Sequence, residues 1–575
     1  MRLRYLRVQN YEPLKDVEIS FQPESLLRRK LTIQFVVGVN GTGKSRLLQA
    51  LTETFLSLGR GELPPLSVAI AYDLGIGTDR RTIYLHRLVG ALTKAGLIEF
   101  ETELPETTDW KLVSEIDWKN PPADFKTRNR FLDGDLPGTL IAYLPVPLLV
   151  YTSGYTASWQ ILFAPQTQSL ADTLEENHPI EESESERPVK WDAIRERNHL
   201  FENGDLEAAR QITTTKPDEI VTNVQPPMYA MLITAEQLSL AACAVALHQA
   251  VEEWKASPDQ IHSNPALRQL LNEVGWREPV ALSLCLEFQP TTLNRAQARQ
   301  IYYLLKLASA VQREPEPGIG RRLIFDLHRP VPEKIAQEFA PPPTTVAEAL
   351  REILSNGLPG PWPVFETLYQ WQQSGLLRDL TIALHAFTQD KDGTQKNIED
   401  VLLYDWLSDG ERMFLGRIAL FYLLQGQGDA LLILDEPETH FNDYWKRQVV
   451  DILDNALGDQ QSEVIIASHS SIALTDALAE EVIRLKKKDG QTEYEPVITP
   501  TFGADPSEIM VNVFEAPDSM GNRALEYLDK QLIRKWHPKD LPELERLIRH
   551  IGPGYHRSEL RTIWRNLRAT QDQHS

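Results

Sequence analysis

The chain has 575 residues and a formal net charge of −22, with 42% hydrophobic and 24% charged residues. That length allows several cores in ordinary globular proportions. No apolar run approaches the roughly 20 residues that a membrane-spanning helix needs. The acidic balance is the reverse of the footprint of a chain whose main task is non-specific DNA binding.

The N-terminus, "MRLRYLRVQN", carries no signal-peptide core, so the expectation is a cytoplasmic chain with no membrane partner. "LRYLRVQNY" and "KDVEISF" read as a hairpin, and "LTIQFVV" as a buried strand of continuous apolar character. "GVNGTGKS" follows, then a helix with Leu47, Leu48, Leu51 and Phe55 on one face. "LSVAIAYDLG", "RTIYLHRL" and "LIEFETEL" read as further strands, and "LLVYTSGYTASWQ" ends another near residue 154. Between Asp172 and Pro188 the acidic stretch reads as an exposed loop. A helical section is expected from about 194 to 256, strands at "ALSLCLEF" and "RRLIFDLH" around a helix at 294–313, and two or three helices over 345–388. Cys243 and Cys285 lie in apolar settings and give neither a disulfide framework nor a zinc spacing. No heptad run survives the breakers "REPEPGIG" and "APPPTT", which argues against a long coiled coil. The last third returns to α/β alternation: a helix after "LSDGE", the strand "ALLILDEPE", a helix at 443–457 and the strand "EVIIASHS". Such alternation implies parallel strands with helices on their faces. From Gly521 to Ser575 there are 11 Lys/Arg against 7 Asp/Glu, or +4, with Arg546, Arg549, Arg557, Arg561, Arg565 and Arg568 crowded near the end. That tail reads as a solvated helical segment, or as a docking surface for an acidic partner or nucleic acid.

Three stretches carry chemistry. Gly38-x-x-x-x-Gly43-Lys44-Ser45 is a complete phosphate-binding loop between a strand and a helix. Its backbone N–H groups, from Asn40, Gly41, Thr42 and Gly43 onward, suit phosphate oxygens. Lys44 offers a point charge to the β/γ oxygens of ATP, and the Ser45 hydroxyl suits Mg²⁺. In "ALLILDEPE" a buried strand delivers two adjacent carboxylates: Asp435 suits the metal, and Glu436 suits a general base that polarises water. A helix-capping acidic turn is the bland alternative. Thirty-four residues past Asp435, "VIIASHSS" sets Ser468 and His469 at the end of another buried strand, where His469 could reach a γ-phosphate.

The stretch "YDWLSDGERMF" adds a fourth element. Ser408-Asp409-Gly410 opens an apolar helix whose N-terminus is a seat for an anion. Ser408-x-x-Glu411 is also a capping box that needs no ligand.

In this order the four elements resemble the ABC-type ATPase superfamily: P-loop, signature, Walker B with a following Glu, and switch histidine. The family signature is LSGGQ or LSGGE; here it is Leu407-Ser408-Asp409-Gly410-Glu411, with Asp409 in place of one glycine. The resemblance implies that Ser408 and Gly410 serve the nucleotide held by a second copy packed head to tail. The wide split between P-loop and signature is similar to the SMC/RecF/OLD branch, closest to the OLD-like group, whose "DEPExHLHP" pattern "DEPETHFNDYWKR" resembles. His440, Asn442 and Asp443 then fall where a D-loop would cross the dimer interface. Gln160 is the candidate Q-loop residue, with Tyr151 to Gly154 as the other occupant of that place.

More narrowly, "LSDGERMFLGRIAL", "SHSSIALTD", "TFGADPSEIM" and "IGPGYHRSELRTIWR" resemble restriction-system-associated AAA-family ATPases of bacterial defence loci. The fold expectation is α/β: an ABC-type head assembled from residues 1–160 and 396–505, an inserted, largely helical region with some strands over 161–395, and a basic helical extension over 506–575. No Toprim or His-Asn-His nuclease pattern follows His469. The resemblance therefore implies a dimeric or higher-order ATP- and Mg²⁺-dependent regulator of a separate effector such as a nuclease, with DNA as a possible ligand. A RecF-like repair ATPase and a nucleotide-bound scaffold with negligible turnover are the alternatives.

Overall fold

Strands Thr32–Val37, Leu431–Asp435 and Glu463–Ala467 are apolar over nearly their whole length, and every residue of Leu431–Leu434 is fully buried. Continuous runs of this kind belong to strands covered on both faces. Each such side chain contributes at most about 1.5–3 kcal/mol by leaving water. The computed structural model describes residues 1–21, 27, 31–75, 79–89, 94–132, 140–164, 229–255, 276–287, 295–313, 320–389, 395–439, 441–457, 462–516 and 520–573. The acidic 172–188 stretch, most of the 194–256 section and His440 lie outside them.

The strands, in chain order, are β1 (Arg2–Tyr11), β2 (Leu14–Ser20), β3 (Thr32–Val37), β4 (Ser67–Leu74), β5 (Arg81–Leu88), β6 (Lys94–Phe100), β7 (Thr127–Leu132), β8 (Leu148–Thr152), β9 (Ala230–Ile233), β10 (Trp276–Leu286), β11 (Ala310–Arg313), β12 (Arg321–Asp326), β13 (Leu377–Gln389), β14 (Gln395–Leu403), β15 (Leu431–Asp435), β16 (Glu463–Ala467), β17 (Val482–Lys488) and β18 (Gln491–Pro496). Thirteen of them form one sheet, in the order β7-β6-β5-β4-β1-β2-β18-β17-β3-β16-β15-β8-β9. From β7 to β2 it is antiparallel. From β17 through β3, β16, β15 and β8 to β9 it is parallel. The head is thus an α/β unit whose sheet draws on both ends of the chain.

The parallel half ends in register. Asp435 lies opposite both Ala467 and Thr152, and Ala467 lies opposite Val36. Four loops therefore leave the same edge side by side: those after Val37, Thr152, Asp435 and Ala467. Ligands of open α/β sheets bind at this carboxyl edge.

The inserted stretch combines helices with strands. Among the described residues it carries an antiparallel sheet in the order β11-β12-β10-β13-β14. The expected helix at 294–313 stops at Leu307, and β11 follows. The helices expected over 345–388 are Val346–Ser355 and Trp362–Gln373, after which β13 begins. Ala230–Ile233, expected to be helical, is instead β9 at the edge of the head sheet, and the helix Leu238–Lys255 starts only after it. The helix expected at 443–457 is two pieces, Asp443–Lys446 and Val449–Leu457.

The helix Asp409–Leu423 packs on Leu238–Lys255, and Ile382, Leu384, Tyr404, Leu407 and Leu415 form one buried cluster around it. Gly416 allows the approach, since a Cβ there would meet Leu238 Cβ at 2.6 Å. Cys243 and Cys285 are both buried.

Residues Met1–Gly503 form one unit and Ala504–Ser575 a second. The second is helical, with Trp536, Leu544, Ile548 and Leu560 as its core. Of its arginines, Arg549 pairs with Glu545 and Arg568 lies 5.0 Å over the Trp564 ring. No described helix is long and apolar enough to cross a membrane.

Candidate functional site

The loop after β3 is shaped by its glycines. Gly38 (φ 153°), Gly41 (φ 81°) and Gly43 (φ 88°) hold positive φ, and a Cβ on Gly43 would press on Pro13 and Leu14 at 3.1 and 3.2 Å. Thr42 closes the turn: its N–H and Oγ1 both donate to the Val39 carbonyl, at 3.3 and 2.9 Å. The Thr42 carbonyl accepts from Thr492 Oγ1 at 2.8 Å, tying the loop to β18. Asn40 and Gly41 are exposed at the tip. The helix Lys44–Gly59 starts at once, so its free N–H groups face this loop. Lys44 is 6% exposed, and its Nζ donates to the Gly38 carbonyl at 3.0 Å. Burial lowers its pKa, against the opposing pull of Glu436, Asp435 and Glu438.

Asp435 closes β15. Its Oδ1 accepts from Ser45 Oγ at 3.0 Å and its Oδ2 from the Trp159 indole at 3.3 Å. Burial pushes its pKa up to about 6; the Ser45 and Trp159 hydrogen bonds pull the other way, and Glu436 adds to the rise. Ser45 and Asp435 thus offer hard oxygen donors side by side, the chemistry Mg²⁺ prefers.

Glu436 has φ 54°, in the left-handed region, a conformation that costs on the order of 1–3 kcal/mol for a non-glycine residue. Its N–H donates to the Ala467 carbonyl at 2.9 Å, and its carbonyl accepts from Ser153 Oγ at 2.7 Å. Held on both sides, it presents Oε1 3.3 Å from His469 Nε2. Burial and the Lys44 charge lower the His469 pKa, which favours the neutral ring. Glu438 supports the same turn, its Oε1 accepting from Ser468 Oγ at 2.6 Å and from the His469 N–H at 2.9 Å.

Lys44, Ser45, Asp435, Glu436 and His469 therefore share one edge of the sheet. Gln160 is placed differently. It sits on the exposed side of the helix of residues 157–164, while its neighbour Trp159, 1% exposed, reaches the carboxylate. Within Tyr151 to Gly154, Ser153 reaches the Glu436 carbonyl.

Ser408 caps the helix Asp409–Leu423 in a reciprocal box. Its Oγ accepts from the Glu411 N–H at 3.4 Å, and Glu411 Oε2 accepts from the Ser408 N–H at 3.0 Å and from its hydroxyl at 2.6 Å. Ser408 is exposed and Gly410 half-buried, and the Asp409 carboxylate turns aside to Arg412. Asn442 caps the short helix after Walker B through Trp445 N–H at 2.8 Å, and Asp443 pairs with Lys446 at 3.1 Å.

Arg417, missed in the sequence, is fully buried on the Asp409–Leu423 helix. It donates to Tyr151 Oη at 2.7 Å, to the Thr439 carbonyl at 2.6 Å and to the Pro437 carbonyl. It also lies 4.7 Å over the Phe441 ring. It therefore pins the signature helix to the loop that follows Glu436. An arginine flanked by Leu415, Ile418 and Leu420 was the available signal.

Residues 321–476 match the family described as "AAA domain, putative AbiEii toxin, Type IV TA system". The matched stretch holds Ser408, Gly410, Asp435, Glu436 and His469, while Lys44 and Ser45 lie upstream of it. Over 95 residues the chain is 42% identical to the DNA double-strand break repair Rad50 ATPase of Pyrococcus abyssi, which is 16% of this chain and 10% of that protein. The chain so spans about a tenth of the length of the curated relative it matches. Among solved structures, an SMC head bound to the C-terminal winged-helix domain of ScpA is 13% identical, covering 86% of this chain and 98% of that one at a TM-score of 0.29. The SMC head domain of Thermotoga maritima is 11% identical over 87% and 100% at 0.27, and the recombination mediator protein RecF-ATPrS 14% over 86% and 97% at 0.24. With scores this low, the fold stands on the chain's own strand order and register.

Proposed function

We propose that the chain binds and hydrolyses ATP with Mg²⁺, and that two copies complete each other's sites as a sensor and regulator of a partner effector in bacterial antiphage defence. The observation that carries the ATPase reading is the meeting of Ser45 with Asp435, and of Glu436 with His469, at one sheet edge beside Lys44. The P-loop amides and Lys44 bind and orient the phosphates. Ser45 and Asp435 are the residues that would hold Mg²⁺, which when bound offsets phosphate charge. Glu436 takes a proton from the attacking water, and neutral His469 positions it. Ser408 and Gly410 offer their helix N-terminus to the nucleotide of the second copy.

The defence role is supported by the AbiEii-like family match and by the motif resemblance to restriction-system-associated ATPases. A nuclease is the proposed effector. The local identity to a Rad50 repair ATPase favours a second reading, a DNA-repair ATPase, in which DNA would stimulate turnover. ATPase rates with and without DNA separate the two. For the ATP site itself, Lys44→Ala should abolish nucleotide binding by calorimetry, and unchanged affinity would remove the assignment.

A further inference from the structure

The geometry points to Trp159 as a positioning residue that makes Asp435 a one-oxygen metal ligand and so favours Mg²⁺ over Ca²⁺. This rests on the nucleotide reading above. An indole N–H can only donate, and along one direction. Here it occupies Asp435 Oδ2 at 3.3 Å while Oδ1 faces Ser45 at 3.0 Å. With donors on both oxygens the carboxylate plane is fixed, and the oxygen left toward the P-loop is Oδ1.

The indole cannot easily shift. Trp159 and Phe163, one helical turn apart, are both buried in the main core. Beside it, Ser158 Oγ accepts from Gln49 Nε2 on the P-loop helix at 2.9 Å, and Ser153 Oγ donates to the Glu436 carbonyl. The segment is therefore tied to both halves of the site. Core filling alone needs a ring, not an N–H aimed at the metal carboxylate.

The consequence concerns the cation. Ca²⁺ accepts bidentate carboxylates in flexible geometry, whereas Mg²⁺ demands a near-octahedral shell built from single oxygens. Holding Oδ2 on an indole disfavours the bidentate mode.

The test uses the full chain and a fluorescent ATP analogue, read as equilibrium binding in EDTA and in Mg²⁺ and Ca²⁺ titrations. Trp159→Phe keeps a ring and loses the donor. Its affinity in EDTA should stay within about twofold of wild type. Its Mg²⁺ half-saturation should rise about tenfold, the scale of one hydrogen bond to a charged group, while Ca²⁺ shifts less and the preference narrows. Trp159→His, which returns a ring N–H, should recover part of that preference. In an Asp435→Asn background, Trp159→Phe should add nothing to the loss of Mg²⁺ affinity. Equal weakening in EDTA and in Mg²⁺, an unchanged Mg²⁺/Ca²⁺ preference, or an additive effect in the Asp435→Asn background would each overturn the assignment. Wild-type protein that binds no nucleotide under any of these conditions would instead overturn the ATP reading itself.

Discussion

Ser45 and Asp435 are 390 positions apart in the chain and joined by a 3.0 Å hydrogen bond. The bond exists because β3 and β15 flank β16 in a parallel sheet whose strands end in register. It places a carboxylate in a buried setting, where ionisation is costly.

The pH dependence of stability follows from that cost. Burial pushes the Asp435 carboxyl up to about 6 in the fold, against about 3.9 for an exposed aspartate. A raised carboxyl pKa means the folded state holds the proton more tightly. The penalty is therefore full above about pH 6, shrinks as pH falls, and is gone below about pH 4. At about 1.4 kcal/mol per pKa unit it amounts to about 3 kcal/mol at most. In EDTA, Asp435→Asn should be more stable than wild type at pH 8 in urea unfolding, and the gap should close by pH 4. A constant gap across that range would contradict the burial argument.

Glu436→Gln removes the proposed base and leaves the P-loop intact. Nucleotide binding should persist while hydrolysis falls about 10²–10⁴-fold. ATP should then lock the dimer, visible as a rise in mass by light scattering. Turnover near the wild-type rate would exclude Glu436 as the base.

Arg417 donates to three acceptors, of which the Tyr151 hydroxyl and the Pro437 carbonyl are buried. Arg417→Lys keeps the charge but cannot reach all three. Leaving a buried acceptor unpaired costs about 1–3 kcal/mol, so urea unfolding should report a loss of that size. Hydrolysis should fall more than nucleotide affinity, because the loop after Glu436 loses its anchor. Wild-type stability and turnover in this variant would show that the latch is not needed.

The local motifs were legible because each is short and chemically specific: the P-loop glycines with Lys44, the acidic pair ending "ALLILDEPE", and "SHSS". Their meeting was not, since strand order depends on contacts hundreds of residues apart. Gln160 is exposed, and one step of about 100° around the helix, Trp159 holds the buried position, which residue type alone does not reveal. A tryptophan beside "ILF" reads as core and hides its polar edge. β13 was misread because "LTIALHAF" is apolar for a run too short to separate strand from helix by period. β9 was absorbed into the helix that follows it after only a few residues. Ser408 caps its own helix while staying exposed, an arrangement that suits both of its readings, and experiment decides its service to a second copy.

That experiment is subunit mixing. Ser408→Arg blocks the phosphate seat offered to the neighbour and spares its own P-loop. As a cap alone, Ser408 is worth on the order of 1 kcal/mol to its own helix. Lys44→Ala has the converse defect. Each variant alone should be inactive, because both composite sites of a symmetric dimer lack one half. Co-assembled at random, half the dimers are mixed, and each mixed dimer has one site with both defects and one with neither. ATPase should recover to roughly a quarter of wild type if the sites act independently in an isologous dimer. No recovery, with mixed dimers shown to form by differential tagging, would contradict independent nucleotide sites shared between chains.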